Sequence, residues 1–249
     1  MDARPLSDFG RDGYAIVRDL APERLRRRML EVAREHLARA VQPLEYEADV
    51  RYPGAPVSQD APGGRTVRRL LQAHSRDAAF ATWATSPEIA HPLRALLGPD
   101  LQLSQAHHNC VMTKDPRYSS VTNWHLDIRY WAFERPELIS VWLALGAERH
   151  VNGCLRVLPG SHALDFAPRQ LDEAQFLRTD VEENAALLAK EASVELDPGD
   201  VLFFHSRLFH AAGRNQTAET KFSVVYTYHA ADNPPLPGSR SASLPDISL

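Results

Sequence analysis

The chain has 249 residues, 44% of them hydrophobic and 24% charged, which suits one large domain with ample apolar material for a core. Its formal net charge of −4 is spread without long acidic or basic runs, so no nucleic-acid or membrane-surface partner is expected. The opening residues carry no secretory signal pattern, and no apolar run could span a bilayer. Cys110 and Cys154 lie in apolar settings. Together these observations predict a cytoplasmic protein with reduced thiols.

The first hundred residues predict a mainly helical region, with a brief strand from Tyr14 to Val17. Residues 22–23, Pro and Glu, suit the first turn of a helix whose apolar residues then recur at helical spacing. Residues 86–88 resemble a helix start, and that second helix ends at Gly98. Between the two helices a turn-rich stretch through residues 53–64 predicts a long loop over one end of the fold, of the kind that often forms an active-site lid.

From Leu101 the pattern changes to that of β-strands. Strands are predicted near 101–113, 127–133, 138–146, 154–158, 193–197, 200–205 and 221–229. Residues 170–190 interrupt them with a helix-like insertion, and the tail of residues 231–249, rich in Pro and Ser, is expected to run over the surface.

Seven or so short strands with closely spaced turns behind a helical region predict a mainly β fold, a cupin-like double-sheet jelly roll. We interpret residues 1–249 as a single domain. It would have an N-terminal helical region of about 1–100, a jelly-roll core of about 101–230 and a tail of 231–249.

The stretch from Asn123 to Tyr130 contains the main candidate for chemistry. Along a strand, alternate side chains point to one face, so His125 and Asp127 can both point inward. One imidazole and one carboxylate are two thirds of the facial triad that holds non-haem Fe(II). We place the missing ligand at His210, although a His-x-Asp pair also occurs where the Asp merely orients the His.

The order of the motifs resembles the phytanoyl-CoA dioxygenase family. The matching segments are His125 to Pro136, Trp142, Asn152 to His162 and Pro198 to His210, within a likeness that covers about residues 8–229. The resemblance implies a double-stranded β-helix that uses Fe(II), 2-oxoglutarate as co-substrate, and O2. It also implies that the iron ligands are His125, Asp127 and His210.

The same resemblance implies the reaction type. Relatives that halogenate have a small residue in place of Asp127, so its presence favours hydroxylation, or another oxidation, of a small organic substrate with release of succinate and CO2. No general base is required, because the metal carries the difficult chemistry.

Two positions depart from the family pattern. Lys221 stands where the family usually has an Arg that grips the far carboxylate of 2-oxoglutarate, and a Lys pairs with it as a point charge without the two-pronged hydrogen bonding of Arg. Ala212 replaces a small hydroxyl residue. Trp142 matches a family Trp that lines the co-substrate pocket, with an ordinary core Trp as the alternative. We therefore predict Lys221 and Trp142 as co-substrate contacts.

Arg129 is the predicted substrate contact. It lies four residues past His125, on the same face if the strand stays regular, and would favour a substrate with an anionic group; a surface salt bridge is the alternative. Arg68 and Arg69 are weaker candidates of the same kind. Adjacent strand residues point oppositely, so His107 and His108 are interpreted as structural.

Two other functions stay open. A catalytically degenerate protein that binds a metabolite would agree with Lys221 and Ala212, and a cupin-like metalloenzyme would need no 2-oxo acid. The sequence leaves the substrate, the true 2-oxo acid and the oligomeric state undetermined.

Overall fold

Twelve strands form two sheets in the computed structural model, which describes residues 6–50 and 52–249. The strands are β1 Tyr14–Val17, β2 Leu44–Tyr46, β3 Val67–Leu71, β4 Leu101–Lys114, β5 Thr122–His125, β6 Leu138–Ala144, β7 Leu155–Val157, β8 Ala192–Ser193, β9 Val201–His205, β10 His210–Ala212, β11 Lys221–Ala230 and β12 Ile247–Ser248. The larger sheet has the order β1-β9-β6-β11-β4-β3-β2, with β12 paired to β4, and the smaller sheet has the order β5-β10-β7-β8. This architecture confirms the predicted mainly β, double-sheet fold.

Helices cover the outer face of the larger sheet. They are α1 Phe9–Asp12, α2 Glu23–Ala38, α3 Ala78–Ala84 and α4 Pro87–Leu97, with a short α5 Ala185–Leu188 elsewhere. Met29 of α2, Trp83 of α3 and Leu93 of α4 pack with Val111 and Tyr226 of the sheet in one buried cluster. No helix in the described part of the chain is long and apolar enough to cross a membrane.

The inner face of the larger sheet carries the alternate side chains of the same strands. Trp142, Leu202 and Val225 pack with Leu155 and Val157 of the smaller sheet in a second cluster. Strand alternation thus sends one set of apolar residues to the helices and the other to the space between the sheets.

Several element predictions were wrong in detail. The brief strand predicted at Tyr14 to Val17 is confirmed as β1, but β2 and β3 of the N-terminal region were not predicted, and both belong to the larger sheet. The strand predicted at 127–133 is absent from the structure: β5 ends at His125, and Asp127–Tyr130 form a 3-10 turn. The strand predicted at 193–197 is reduced to β8. Whether the chain is a single domain stays a prediction.

The C-terminal tail also makes more contacts with the rest of the fold than the sequence predicted. Instead of only running over the surface, it pairs β12 with Gln102 and Leu103 of β4. It also buries Asn233, whose side-chain amide donates to the carbonyls of Arg135 and Glu137 at 3.1 and 3.2 Å. These contacts attach the tail to the rim of the sheets.

Strand β4 contains a wide bulge that matters for the site. The adjacent residues Tyr226 and Thr227 of β11 pair with Asn109 and Ser104, so residues 105–108 of β4 have no partners in β11. Bulges re-aim side chains and are frequent beside active sites. The assumption that His107 and His108 point to opposite faces of a regular strand is therefore wrong.

Two tyrosine hydroxyls attach α3 to β11, and one of them provides a stability test. Tyr228 Oη donates to the carbonyl of Ala84 at 2.7 Å, and Tyr228 is fully buried. In Tyr228→Phe that carbonyl loses its donor away from water, so we expect the free energy of unfolding in urea to fall by about 1–3 kcal/mol. Tyr118→Phe, at a partly exposed ring, is the control and should change it by less than about 0.5 kcal/mol. An equal effect of both variants would contradict a structural role for the Tyr228 bond.

Candidate metal centre

Three side chains able to bind a metal converge between the two sheets. The ligand atoms of His125, Asp127 and His210 all lie within 4.8 Å of one another. His125 and His210 are direct cross-strand partners in β5 and β10. Asp127 follows the extended residue Leu126, and its Oδ1 is 3.9 Å from His125 Nε2 and 3.6 Å from His210 Nε2. The structure thus brings together the three residues that the sequence singled out.

The main chain orients both imidazoles. His125 Nδ1 is 2.9 Å from the carbonyl of Asn123, and His210 Nδ1 is 3.0 Å from the carbonyl of Leu208. A carbonyl only accepts, so Nδ1 carries the proton in each ring and Nε2 keeps a free lone pair. Two imidazole nitrogens and one carboxylate oxygen close to a common point are the donor set of the facial triad that binds Fe(II). The residues present therefore fit a ferrous ion.

Hydrogen bonding and neighbouring groups keep the carboxylate of Asp127 ionised. Ser140 Oγ donates to Asp127 Oδ2 at 3.2 Å, and His108 Nδ1 lies 3.5 Å from the same oxygen. Burial by itself would raise the pKa of Asp127, but the neighbouring His108 and His210 outweigh burial, and the net pKa is lowered. Burial, and next His210, hold the pKa of His125 well below 6.5, so His125 stays in the neutral form that binds metals.

A cavity of about 380 Å³ lies against these three residues. Its wall includes Arg69, Gln72, Gln105, His107, His108, Lys114, Tyr130, Trp131, Trp142, Lys221, Arg240 and Leu244. Ligand pockets span roughly 300–1,000 Å³, so this cavity lies at the small end of that range.

Lys221 and Trp142, the predicted co-substrate contacts, line the cavity together. However, Lys221 Nζ already forms an ion pair with Glu148 Oε2 at 2.8 Å. Trp142 Nε1 donates to Glu148 Oε1 at 2.8 Å, and Ser223 Oγ donates to the same oxygen at 2.5 Å. All four side chains are buried, so Glu148 compensates the charge of Lys221 away from water.

A second lysine lies directly across the ladder from Lys221. Lys114 of β4 is its register partner, and each lysine is only 8% exposed. Lys114 Nζ reaches a single acceptor, the carbonyl of Ser120 at 3.3 Å, and forms no ion pair within residues 6–50 and 52–249. Burial first, and next Arg68 and Lys221, lower the pKa of Lys114 to about 7. This end of the cavity therefore presents a buried cation that lacks a counter-ion.

Sequence reasoning did not name Lys114 or Glu148 as site residues. A lysine at the end of an apolar strand, before Asp115-Pro116, was a usable signal for Lys114. Glu148 had no comparable signal, because its partner Lys221 lies 73 residues away in the chain.

Arg129 does not take the predicted place. It lies in the 3-10 turn Asp127–Tyr130, and its guanidinium carbon is 3.8 Å from the ring centre of Phe176 and 4.4 Å from that of Tyr130. It is absent from the residues that line the cavity. The regular strand on which its assignment depended does not exist, because β5 ends at His125 and the chain turns from Asp127 onwards.

Arg69, a weaker candidate from the sequence, does line the cavity. Its Nε is 3.3 Å from Glu45 Oε1, and the same oxygen lies 3.6 Å from Arg68 Nε. Arg68 also pairs with the buried Glu47 at 3.5 Å. These two arginines and two glutamates thus form a charge-compensated, partly buried cluster beside the candidate metal centre.

A model of the phytanoyl-CoA dioxygenase (PhyH) family matches residues 9–223. The chain belongs to this family. The human protein "Phytanoyl-CoA dioxygenase, peroxisomal" is 25% identical in an alignment of 235 residues that covers 90% of this chain and 67% of the human protein. Ectoine dioxygenase of Nocardia farcinica is 26% identical in an alignment of 247 residues that covers 92% of this chain and 78% of that enzyme.

Solved structures agree on the fold. The epimerase SnoN, in complex with Fe3+, alpha ketoglutarate and nogalamycin RO, superposes with a TM-score of 0.75 at 23% identity, over 97% of this chain and 89% of that one. EctD from S. alaskensis, with 2-oxoglutarate and 5-hydroxyectoine, also gives a TM-score of 0.75 at 23% identity. The superposition covers 98% of this chain and 82% of that one. The predicted family, fold and enzyme class, a non-haem iron and 2-oxoglutarate-dependent oxygenase, are confirmed.

The metal centre predicts a change in stability on adding iron. At a free Fe(II) concentration about one hundred times the dissociation constant, the free energy of unfolding should rise by about 2.7 kcal/mol under anaerobic conditions. His210→Ala removes one of three ligands and should abolish that rise. His91→Ala, at an exposed histidine of α4, should keep it. A rise of the same size in His210→Ala would show that iron binds elsewhere.

Proposed function

We propose that this chain is an Fe(II)- and 2-oxoglutarate-dependent dioxygenase that hydroxylates, or otherwise oxidises, a small organic molecule and releases succinate and CO2. One observation carries the proposal: His125, Asp127 and His210 converge on the wall of a cavity whose other wall holds an uncompensated buried lysine. A metal triad beside a site for a dicarboxylate is the pair of features that this reaction needs.

His125, Asp127 and His210 would hold Fe(II). Together with 2-oxoglutarate and O2, the bound iron supplies the oxidising chemistry. The protein contributes geometry, because the carbonyls of Asn123 and Leu208 aim the imidazoles, and Ser140 holds the second oxygen of Asp127. The buried position of these residues between the two sheets also keeps bulk water away from the reacting groups.

We assign the far carboxylate of 2-oxoglutarate to Lys114, with Lys221 beside it. Lys221 alone was the anchor expected from the sequence, but its charge is already compensated by Glu148. Lys114 is the buried cation with unused donors, and a carboxylate would provide the acceptor that it lacks. Trp142, fixed by its bond to Glu148, would form the adjoining wall.

The reaction outcome and the setting follow from weaker arguments. Asp127 occupies the ligand position that a halide would need, which supports hydroxylation over halogenation. The relative SnoN is named a non-heme alpha ketoglutarate dependent epimerase, so outcomes other than hydroxylation occur on this fold. A small-molecule substrate agrees with the cavity volume. A cytoplasmic location is our inference from the sequence and agrees with the buried, free Cys110 and Cys154.

One observation favours a second candidate, a non-catalytic metabolite-binding protein. The pairing of Lys221 with Glu148 removes the cation that the family pattern would assign to 2-oxoglutarate. If Lys114 binds the co-substrate instead, this observation no longer speaks against catalysis. The test must therefore measure the contribution of each lysine to 2-oxoglutarate binding separately. Succinate formation that depends on O2 would exclude both this candidate and a cupin-like enzyme that needs no 2-oxo acid.

The decisive measurement is the anaerobic titration of Fe(II)-loaded protein with 2-oxoglutarate, followed by the visible charge-transfer band. We expect a saturable band. Lys114→Met should raise the dissociation constant by about tenfold to a hundredfold, because it removes the charge-assisted contact to the far carboxylate.

The matched control removes the compensated pair instead. Lys221→Met with Glu148→Gln deletes one positive and one negative charge together, so it should weaken 2-oxoglutarate binding by less than about tenfold. A larger loss in the double variant than in Lys114→Met would return the anchor to Lys221. No band in the wild-type protein, despite iron binding, would contradict the proposed function.

Lys114 also makes co-substrate binding depend on pH. Its pKa is about 7 in the empty cavity, and a bound carboxylate raises it, so binding takes up a proton above pH 7. The dissociation constant of 2-oxoglutarate should be flat below pH 7 and rise by up to about tenfold per pH unit above it. Titrations of the band at several pH values check this, and the Lys114→Met variant should show no such rise.

A stability measurement tests the same group without co-substrate. Between pH 7 and 10.5 the unfolded chain binds more protons at Lys114 than the folded chain does, so this lysine makes the free energy of unfolding increase with pH across that window. The free energy gained by Lys114→Met over the wild type should accordingly be larger at pH 7 than at pH 9. A gain independent of pH would show that the pKa of Lys114 is not lowered.

A further inference from the structure

The end of the cavity away from Lys114 is built by two segments that come from distant parts of the chain. One is the bulge of β4, residues 105–108, of which every residue lines the cavity. The other is the C-terminal tail, which contributes Arg240 and Leu244. We call this end, with Tyr130 and Trp131, the outer chamber. It adjoins the metal centre, since His108 Nδ1 lies 3.5 Å from Asp127 Oδ2.

Specific contacts hold the tail against the bulge. The buried Ser241 Oγ accepts from the backbone N–H of Ala132 at 2.8 Å and lies 2.7 Å from His107 Nε2. Gln105 Nε2 donates to the carbonyl of Pro245 at 2.7 Å. The turn that carries Arg240 is therefore anchored on both sides at the mouth of the chamber.

Arg240 is the residue that these contacts leave unused. Its neighbour Ser241 is buried and doubly bonded, whereas the Arg240 guanidinium forms no hydrogen bond or ion pair with any residue that the structure describes. It is exposed at the mouth while it lines the cavity. His107 does not add a second cation, because burial, and next His108 and Arg240, lower its pKa to about 3.

The other cations of the cavity have assigned partners. Arg68 and Arg69 pair with Glu45 and Glu47, and Lys221 pairs with Glu148. Under the proposed function, Fe(II) compensates Asp127, and the co-substrate compensates Lys114 and the remaining charge of the iron. Among the described residues that line the cavity, Arg240 is then the cation that still lacks a counter-ion when both are bound.

The walls of the outer chamber suit a compact carbon skeleton. Trp131 packs against His107 with ring centres 5.0 Å apart and planes inclined by 32°, and Tyr130 stands on the side of His125 with ring centres 6.5 Å apart. The whole cavity of about 380 Å³ must hold both the co-substrate and the enclosed part of the substrate. A ring or a short branched skeleton fits that space, while a long chain would have to extend outside.

We propose that the substrate is a small monocarboxylate whose carboxylate binds Arg240 at the mouth and whose carbon skeleton lies against Trp131, towards the metal centre. This inference rests on the proposed function and names the substrate class for the same site. It moves the predicted anionic contact from Arg129, which the structure places outside the cavity wall, to a residue of the C-terminal tail. An arginine can hold a carboxylate with two parallel hydrogen bonds.

The test uses the Fe(II)-loaded full chain with saturating 2-oxoglutarate in air. Aromatic and alicyclic carboxylic acids and cyclic amino acids are each compared with the corresponding primary amide, and succinate formation is measured. We expect at least one acid to stimulate succinate formation more than tenfold over its amide, because the neutral amide has the same shape without the charge.

Variants of Arg240 locate the effect. For the best acid, Arg240→Gln should raise KM at least tenfold with a smaller change in kcat, as expected for a contact made equally in the ground and transition states. Arg240→Lys should recover part of the loss. Arg135→Gln is the control, since Arg135 is a partly exposed arginine paired with Asp232 and is not among the residues that line the cavity.

The outcomes separate the two proposals. Acids that stimulate no better than their amides, or an unchanged KM in Arg240→Gln, would overturn the assignment of a carboxylate to Arg240 even if the charge-transfer band is normal. Absence of the band in the wild-type protein would instead refute the proposed function. A band of normal strength in Arg240→Gln, together with its raised KM, is the result that supports both.

Discussion

The pairing of β5 with β10 is the interaction on which the site depends. It places His125 opposite His210, and a backbone carbonyl two residues before each histidine holds Nδ1 and leaves Nε2 free. Both strands are short, so their positions rely on the larger sheet behind them and on the apolar contacts between the sheets. The turn after His125 then brings Asp127 to the same point. The candidate metal site is thus a consequence of strand register, with both imidazoles oriented by the main chain and the Asp127 carboxylate held by Ser140.

Buried charge is the second constraint, and the protein answers it in two ways. Most of the cations beside the cavity are compensated by buried glutamates, as Lys221 is by Glu148, which avoids the cost of an isolated charge away from water. Lys114 is left without such a partner and has its pKa lowered instead. A site that is electrostatically incomplete in this way favours an anionic ligand, and the free energy lost in the empty protein can be recovered when the ligand binds.

The outer chamber of the cavity is built by different means. A bulge interrupts β4, and the tail folds back over it, so residues about 130 positions apart in the chain form one wall. The bulge itself turns His107 and His108 towards the cavity, where a regular ladder would have separated them. The candidate metal ligands lie elsewhere, on β5, on β10 and in the turn that follows β5, so the tail and the metal centre are built from separate parts of the chain.

The sequence by itself determined the features that depend on local pattern: the strands of the core, most of the helices, the His-x-Asp spacing and the order of motifs that identified the family. It could not determine features that depend on long-range pairing. Three such features are the ion pair of Lys221 with Glu148, the lack of a described counter-ion at Lys114, and the position of Arg240 on the cavity wall. All of them arise from residues far apart in the chain. Arg129 shows the limit most clearly, because its predicted role assumed that a strand would continue where the chain instead turns. Periodicity reports which face a residue takes within its own element, whereas only the packed structure decides what stands opposite that face.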